Sequence, residues 1–199
     1  MNGFEKRAAL IKEKIMNTTL EMLGTWEPKK MRVADIAKAA GVSQVTIYNY
    51  FGSKEALLRE TFKGFVENSV RDYEEFAAGK PSLKEIIEYT LIKEKEAYSI
   101  LPVGTVKELM VDDPETLRYV EHHYENNVIP LIVTMVEDGK ASGEISERVS
   151  VKSVLFFMQM YMRSASELLE TARGQEDTNG FLEEVVHLFY YGICGREQD

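Results

Sequence analysis

The chain has 199 residues, with 44% hydrophobic and 29% charged residues, as expected of one ordinary folded domain or two small ones. A single cysteine, Cys194, excludes an intramolecular disulfide framework and fits a reducing, cytoplasmic setting. No apolar run is long enough to span a bilayer, and the opening "MNGFEKRAALIKEKI" resembles an amphipathic helix rather than a secretory signal.

The net charge of −9 argues against a polyanionic partner until its distribution is considered. Residues 1–60 carry 10 Lys and Arg against 7 acids, a balance of +3; the rest carry 14 against 26, a balance of −12. A mildly basic head on an acidic body still presents cations locally.

No segment sustains an alternating apolar–polar pattern, so the expectation is an all-α fold. Ala8, Ile11, Ile15 and Met22 give a first helix to about Leu23, and Gly24 and Pro28 break it. Val33 to Ala40 forms a short second helix, ended by Gly41, the residue at ease with a positive φ at a helix C-terminus. Ser43 caps a third helix and Ser53 a fourth, whose stripe runs Leu58, Phe62, Phe65, Ser69, Tyr73, Phe76. After "AAGKPS", Leu83, Ile86, Thr90, Ala97 and Leu101 mark a fifth helix that Pro102 ends. A short sixth runs from Val106 to Val111. Leu117, Val120, Tyr124, Val128, Leu131 and Met135 stripe a seventh to about Gly139, which Pro130 should kink or split.

The last two helices, Val151 to Ala172 and Phe181 to Ile193, are apolar over most of their circumference. Each therefore needs cover on two sides, and a second copy of the chain is the simplest second cover.

A short helix, a Gly41-Val42-Ser43 turn and another short helix is a helix-turn-helix arrangement. Ile47 and Phe51 face inward, which leaves Gln44, Val45, Tyr48 and Asn49 outside. The two amides suit base edges; tyrosine hydroxyls and Lys54 suit phosphate oxygens.

"VADIAKAAGVSQVTIYNYFGSKEALL" resembles the N-terminal signature of tetracycline-repressor-type (TetR family) bacterial regulators. The likeness is strong over residues 33–58, looser over 4–76, and beyond that one of helix count. The resemblance implies a three-helix DNA-binding head over 1–52, a linking fourth helix over 53–78, and an all-helical effector-binding and dimerisation body over 79–199. It implies base contacts from Gln44, Val45 and Asn49, and phosphate contacts from Thr46, Tyr48 and Lys54, with Ser43 beside them. Arg32 stands where the family usually has Thr or Ser; it keeps a phosphate contact within reach but not the cap. The implied partners are a palindromic DNA operator and a second copy of the chain, joined through the last two helices.

The expected effector is a small apolar or cationic molecule, lined by Tyr98, Met110, Tyr124, Met135, Phe157 and Tyr161, although plain core packing explains such residues as well. Glu121 and Glu125 are spaced for a shared ion, but adjacent His122 and His123 diverge on a helix, so an ordinary polar face is the expectation and no metal or cofactor is assigned. His187 is expected to be structural and the nine methionines chiefly core or interface. No enzyme motif is present. The competing readings are a relative that has lost DNA binding and acts through a protein partner, and a helical enzyme.

Overall fold

The computed structural model describes residues 3–175 together with 177, 180, 181, 184, 185, 187, 188 and 191. Among these the regular structure is helical: α1 Gly3–Leu23, α2 Val33–Ala40, α3 Gln44–Phe51, α4 Lys54–Ala77, α5 Leu83–Ile100, α6 Val103–Asp112, α7 Pro114–His123, α8 Ile129–Ala141 and α9 Val151–Arg173. A 3-10 turn at Pro28–Lys30 joins α1 to α2, and a π segment at Tyr124–Val128 joins α7 to α8. The expected last helix over 181–193 lies, apart from isolated positions, outside the described residues.

The chain divides into two compact units. One comprises residues 1–75 and 96–121, the other 76–95 and 122–199. In the first, Ile15 and Leu23 of α1, Ile36 and Ala40 of α2, Ile47 and Phe51 of α3, and Leu57, Leu58 and Phe62 of α4 form one buried cluster. Leu101 and Leu109 belong to it too, so the core around the first three helices continues onto the start and middle of the α6 region. The second unit is centred on Ile132 and Val136 of α8, Ile145, and Val154 of α9.

The structure departs from the sequence reading chiefly in where α6 and α7 start, and it shows the split expected near Pro130. Proline starts helices here as well as stopping them, since its fixed φ suits a first turn that needs no N–H. Thus α6 begins at Val103, directly after Pro102, and α7 begins at Pro114. Asp113 serves as its cap: the carboxylate accepts from the Glu115 amide at 3.2 Å and from the Thr116 hydroxyl at 2.8 Å.

The expected seventh helix is split. Its backbone widens to a π turn over Tyr124–Val128, so that Pro130, in the first turn of α8, meets no regular ladder. Gly139 does not end α8. It lies buried within the last turn, where a Cβ would stand 2.7 Å from Ile145 Cδ1, and the helix runs on to Ala141.

Candidate nucleic-acid interface

The segment from Val33 to Phe51 is built by its ends. Gly41 takes φ 64° and ψ 38°, the left-handed conformation, and its amide donates back to the Ala37 and Lys38 carbonyls. The Val42 amide also reaches the Ala37 carbonyl, at 3.0 Å, so the orphan carbonyls of α2 are satisfied as the chain turns. Two residues later Ser43 Oγ accepts from the Thr46 amide at 3.0 Å and shares a 2.8 Å hydrogen bond with the Thr46 hydroxyl. The third helix therefore starts at a fixed point relative to the second.

Its register follows from burial. Ile47 is fully buried and Phe51 nearly so, which turns Gln44, Val45, Tyr48 and Asn49 to solvent. Val45 is 65% exposed and Tyr48 49%. No charged residue lies on α3, so its outward face offers two amides, a phenol and an isopropyl group: a set suited to base edges and thymine methyls rather than to non-specific attraction. Tyr50, the second tyrosine, is half-buried and packs edge-on against Phe51.

Three cations lie near the helix-turn-helix segment. Arg32 occupies the cap position of α2 with extended backbone and no capping side-chain bond. Its guanidinium instead forks onto Asp35, at 2.7 and 2.9 Å, and holds that carboxyl below the usual range. Two lysines of α1 that the sequence did not single out lie beside the motif. Lys12 Nζ sits 5.4 Å from the Phe51 ring centroid, and Lys14 Nζ would stand 3.5 Å from a Cβ at Gly41. Nothing in their local spacing marks them, because the fold alone brings α1 across the turn.

Lys54, an expected phosphate contact, also has partners within the protein. It is half-buried, and Nζ donates to the Pro28 and Met31 carbonyls at 2.9 and 3.0 Å. Two of its three protons are thereby committed to backbone, leaving one for an anion.

The expected effector residues are distributed over both units. Tyr98 and Met110 belong to the first; Tyr124, Met135 and Phe157 belong to the second. Met135 packs against the Ile132–Val136 cluster, while Phe157 is exposed together with Phe156 and Met160. The side chain of Tyr161 lies outside the described residues. A cleft of about 120 Å3 in the first unit is lined by Lys29, Lys54, Arg59, Glu108, Asp112 and Asp113 among others, and by none of the six. It is smaller and more charged than a site for a lipophile. His122 and His123 are engaged through Nδ1 by Asn126 and Asn127, and among the described residues no group of three or more metal-ligating side chains converges.

A capped, charge-free helix held across a glycine turn, with cations on the adjoining helices, is the arrangement of a helix-turn-helix DNA-binding protein. Residues 15–61 match the family model of bacterial regulatory proteins, tetR family. Over 144 residues, 69% of this chain and 72% of the relative, the sequence is 26% identical to the fatty acid metabolism regulator protein of Bacillus subtilis. Over 63 residues, 32% of this chain and 31% of the relative, it is 33% identical to the HTH-type transcriptional regulator BetI of Agrobacterium fabrum.

The fold is shared with FadR of B. subtilis, solved in complex with stearoyl-CoA (TM-score 0.68, 22% identity, 91% of this chain and 98% of that one). It is shared equally with the fatty acid degradation regulator FadR of Bacillus halodurans (TM-score 0.69, 19% identity, 91% and 98%). Residues 15–61 thus carry the DNA-binding region of tetR-family regulators, and over most of its length the chain is similar to a transcriptional regulator of that kind.

Proposed function

We propose that this regulator is a cytoplasmic homodimeric repressor whose residues 1–52 read a palindromic operator and whose residues 79–199 bind a releasing small molecule. Its work is binding rather than catalysis. The observation that carries the reading is the outward face of α3, with Gln44, Val45, Tyr48 and Asn49 exposed and uncharged on a helix capped at Ser43. One such helix covers few base pairs, so two copies are needed, spaced about 34–36 Å apart for successive major grooves.

The decisive experiment is an electrophoretic shift with duplex DNA from upstream of the protein's own coding region, beside an unrelated duplex, at low and moderate salt. Preference for the upstream DNA that survives moderate salt is expected. Equal binding to both duplexes, or none, would overturn the reading.

The acidic body favours a neutral or cationic lipophile, whereas the likeness to a regulator solved with stearoyl-CoA favours an acyl chain carrying an anionic head. A long apolar chain is common to both. Stearoyl-CoA, stearate and an alkylammonium of equal length, each titrated into the operator complex, separate the three. An effector must also bind the operator complex more weakly than the free protein, by the factor it weakens DNA.

The partner copy is assigned to α9 and the helix expected over 181–193. Phe156 and Met160 are 64% and 50% exposed on α9, and Leu188 is exposed as well. Leu188→Glu should yield monomers in sedimentation velocity. A folded dimer would remove that helix from the interface.

A further inference from the structure

The turn between α1 and α2 is held at both ends by residues from outside it. Pro28–Lys30 is one 3-10 turn, too short to satisfy its own ends. Glu27, at its cap position, makes no side-chain capping bond, and Pro28 has no N–H. The next amide, that of Lys29, donates to Glu108 Oε1 of α6 at 3.2 Å, across 79 residues of sequence. The side chain of the same lysine pairs with Asp112, one turn further along α6, at 3.1 Å.

At the other end, the Pro28 and Met31 carbonyls are taken by Lys54 Nζ at the start of α4. An acid thus serves the amide end and a cation the carbonyl end, as the backbone dipoles of a helical turn require. Both come from outside the helix-turn-helix segment. Met31, directly after the turn, is buried in the head's core, and α2 begins two residues on at Val33.

The geometry points to Glu108 of α6 as a positioning residue for DNA recognition: by capping the Lys29 amide it fixes where α2, and with it α3, begins. Asp112 supports it by holding the Lys29 side chain. Because the turn is gripped by α6 directly, a displacement of α6 along its axis reaches the start of α2 through Met31 and Arg32. This rests on the DNA-binding reading above.

The alternative role for an acid near a DNA-binding surface is electrostatic, and it predicts the opposite sign. Removing a negative charge that merely repels phosphate strengthens binding to every duplex. Removing a positioning cap weakens binding to the preferred sequence alone.

The test uses the full chain and an operator selected from randomised duplexes by the wild-type protein. Glu108→Ala should weaken operator binding by about three- to tenfold, the effect of one lost hydrogen bond, and leave random-duplex binding unchanged. Glu108→Gln, whose amide oxygen still accepts from Lys29, should restore most of the affinity. Glu108→Asp keeps the charge but shortens the reach, and should behave like Ala.

Circular dichroism of each variant in urea reports whether it folds. If Glu108→Ala does not, the Gln and Asp variants carry the same comparison. Operator affinity equal to or tighter than wild type in Ala and Asp, or parallel loss on operator and random DNA, would overturn the assignment. Asn49→Ala is run beside them. If it too leaves sequence preference intact, the DNA-reading helix itself is misassigned; if only the Glu108 variants are silent, this inference alone falls.

Discussion

Arg59 and Asp113, 54 residues apart in sequence, form a two-point fork between α4 and the corner where α6 meets α7. Nε donates to Oδ2 at 2.6 Å and Nη2 to Oδ1 at 3.3 Å, and Nη1 also donates to Glu115. Both side chains are about four-fifths removed from solvent. Burial alone would raise the Asp113 pKa, but the guanidinium, the Thr116 hydroxyl and the Glu115 amide outweigh it, and the carboxyl sits below its ordinary range.

Asp113→Asn should therefore destabilise the protein by about 1–3 kcal/mol, the range for a charge-assisted hydrogen bond. The sign with pH follows from the lowered value. The pair contributes fully above the unfolded carboxylate pKa of about 3.9, and its contribution is lost as pH falls through the lower folded value. Urea unfolding between pH 3 and pH 7 should show a shallower acid decline in the variant; a decline parallel to wild type would separate the pair from acid stability.

The outward face of α3 divides by role. Gln44→Ala and Asn49→Ala should relax preference at particular base pairs, at about 1–3 kcal/mol for a good bidentate contact. Tyr48→Phe should weaken all sequences alike. A binding-site matrix measured for each variant shows which behaviour holds, and matrices unchanged from wild type in both Gln44→Ala and Asn49→Ala would dismiss α3 as the reader.

Lys54 sets two roles against each other, phosphate contact and clamp on the Pro28–Lys30 turn. Lys54→Met removes both. If phosphate contact dominates, the slope of log affinity against log salt should fall by about 1. With two protons committed to carbonyls the expected result is an unchanged slope, a lower operator affinity and a lower urea midpoint.

Gly24 ends α1 where a Cβ would come within 2.8 Å of the Ile100 carbonyl and 3.2 Å of the Glu21 carbonyl. Both obstacles are backbone, so neither can rotate away. Gly24→Ala should cost about 1–3 kcal/mol, the usual scale of overpacking, read as a lower thermal midpoint. A neutral or stabilising change would show that the α5 terminus yields easily.

Local chemistry made most of the head legible. Gly41, Ser43 and Ser53 each act within four residues, and the structure finds them where the spacing put them: Gly41 left-handed, Ser43 on the Thr46 amide, Ser53 on the Ala56 amide. The split at Tyr124–Val128 was half legible, since Pro130 announced a fault but the apolar stripe from Leu117 to Met135 ran through it. A single inserted residue leaves such a stripe plausible while the backbone changes its ladder. The Lys29–Glu108 and Arg59–Asp113 contacts left no trace, because charged residues are common and nothing local selects a partner 79 or 54 positions away. Lys54 was legible as a cation but not in its direction, which the Pro28–Lys30 turn decides.

The cluster that stabilises the reading head includes Leu101 and Leu109, residues far outside the first three helices. Portability suffers as a result. A head excised after residue 52, or spliced onto another regulator's body, would arrive with uncovered leucines and isoleucines, an uncapped turn at Lys29 and no Lys54 to hold the Pro28 and Met31 carbonyls. Any substitute body would have to supply an α6 of matching shape and acidity. An exchange of bodies that preserves these contacts would therefore have to leave the chain intact as far as Glu115.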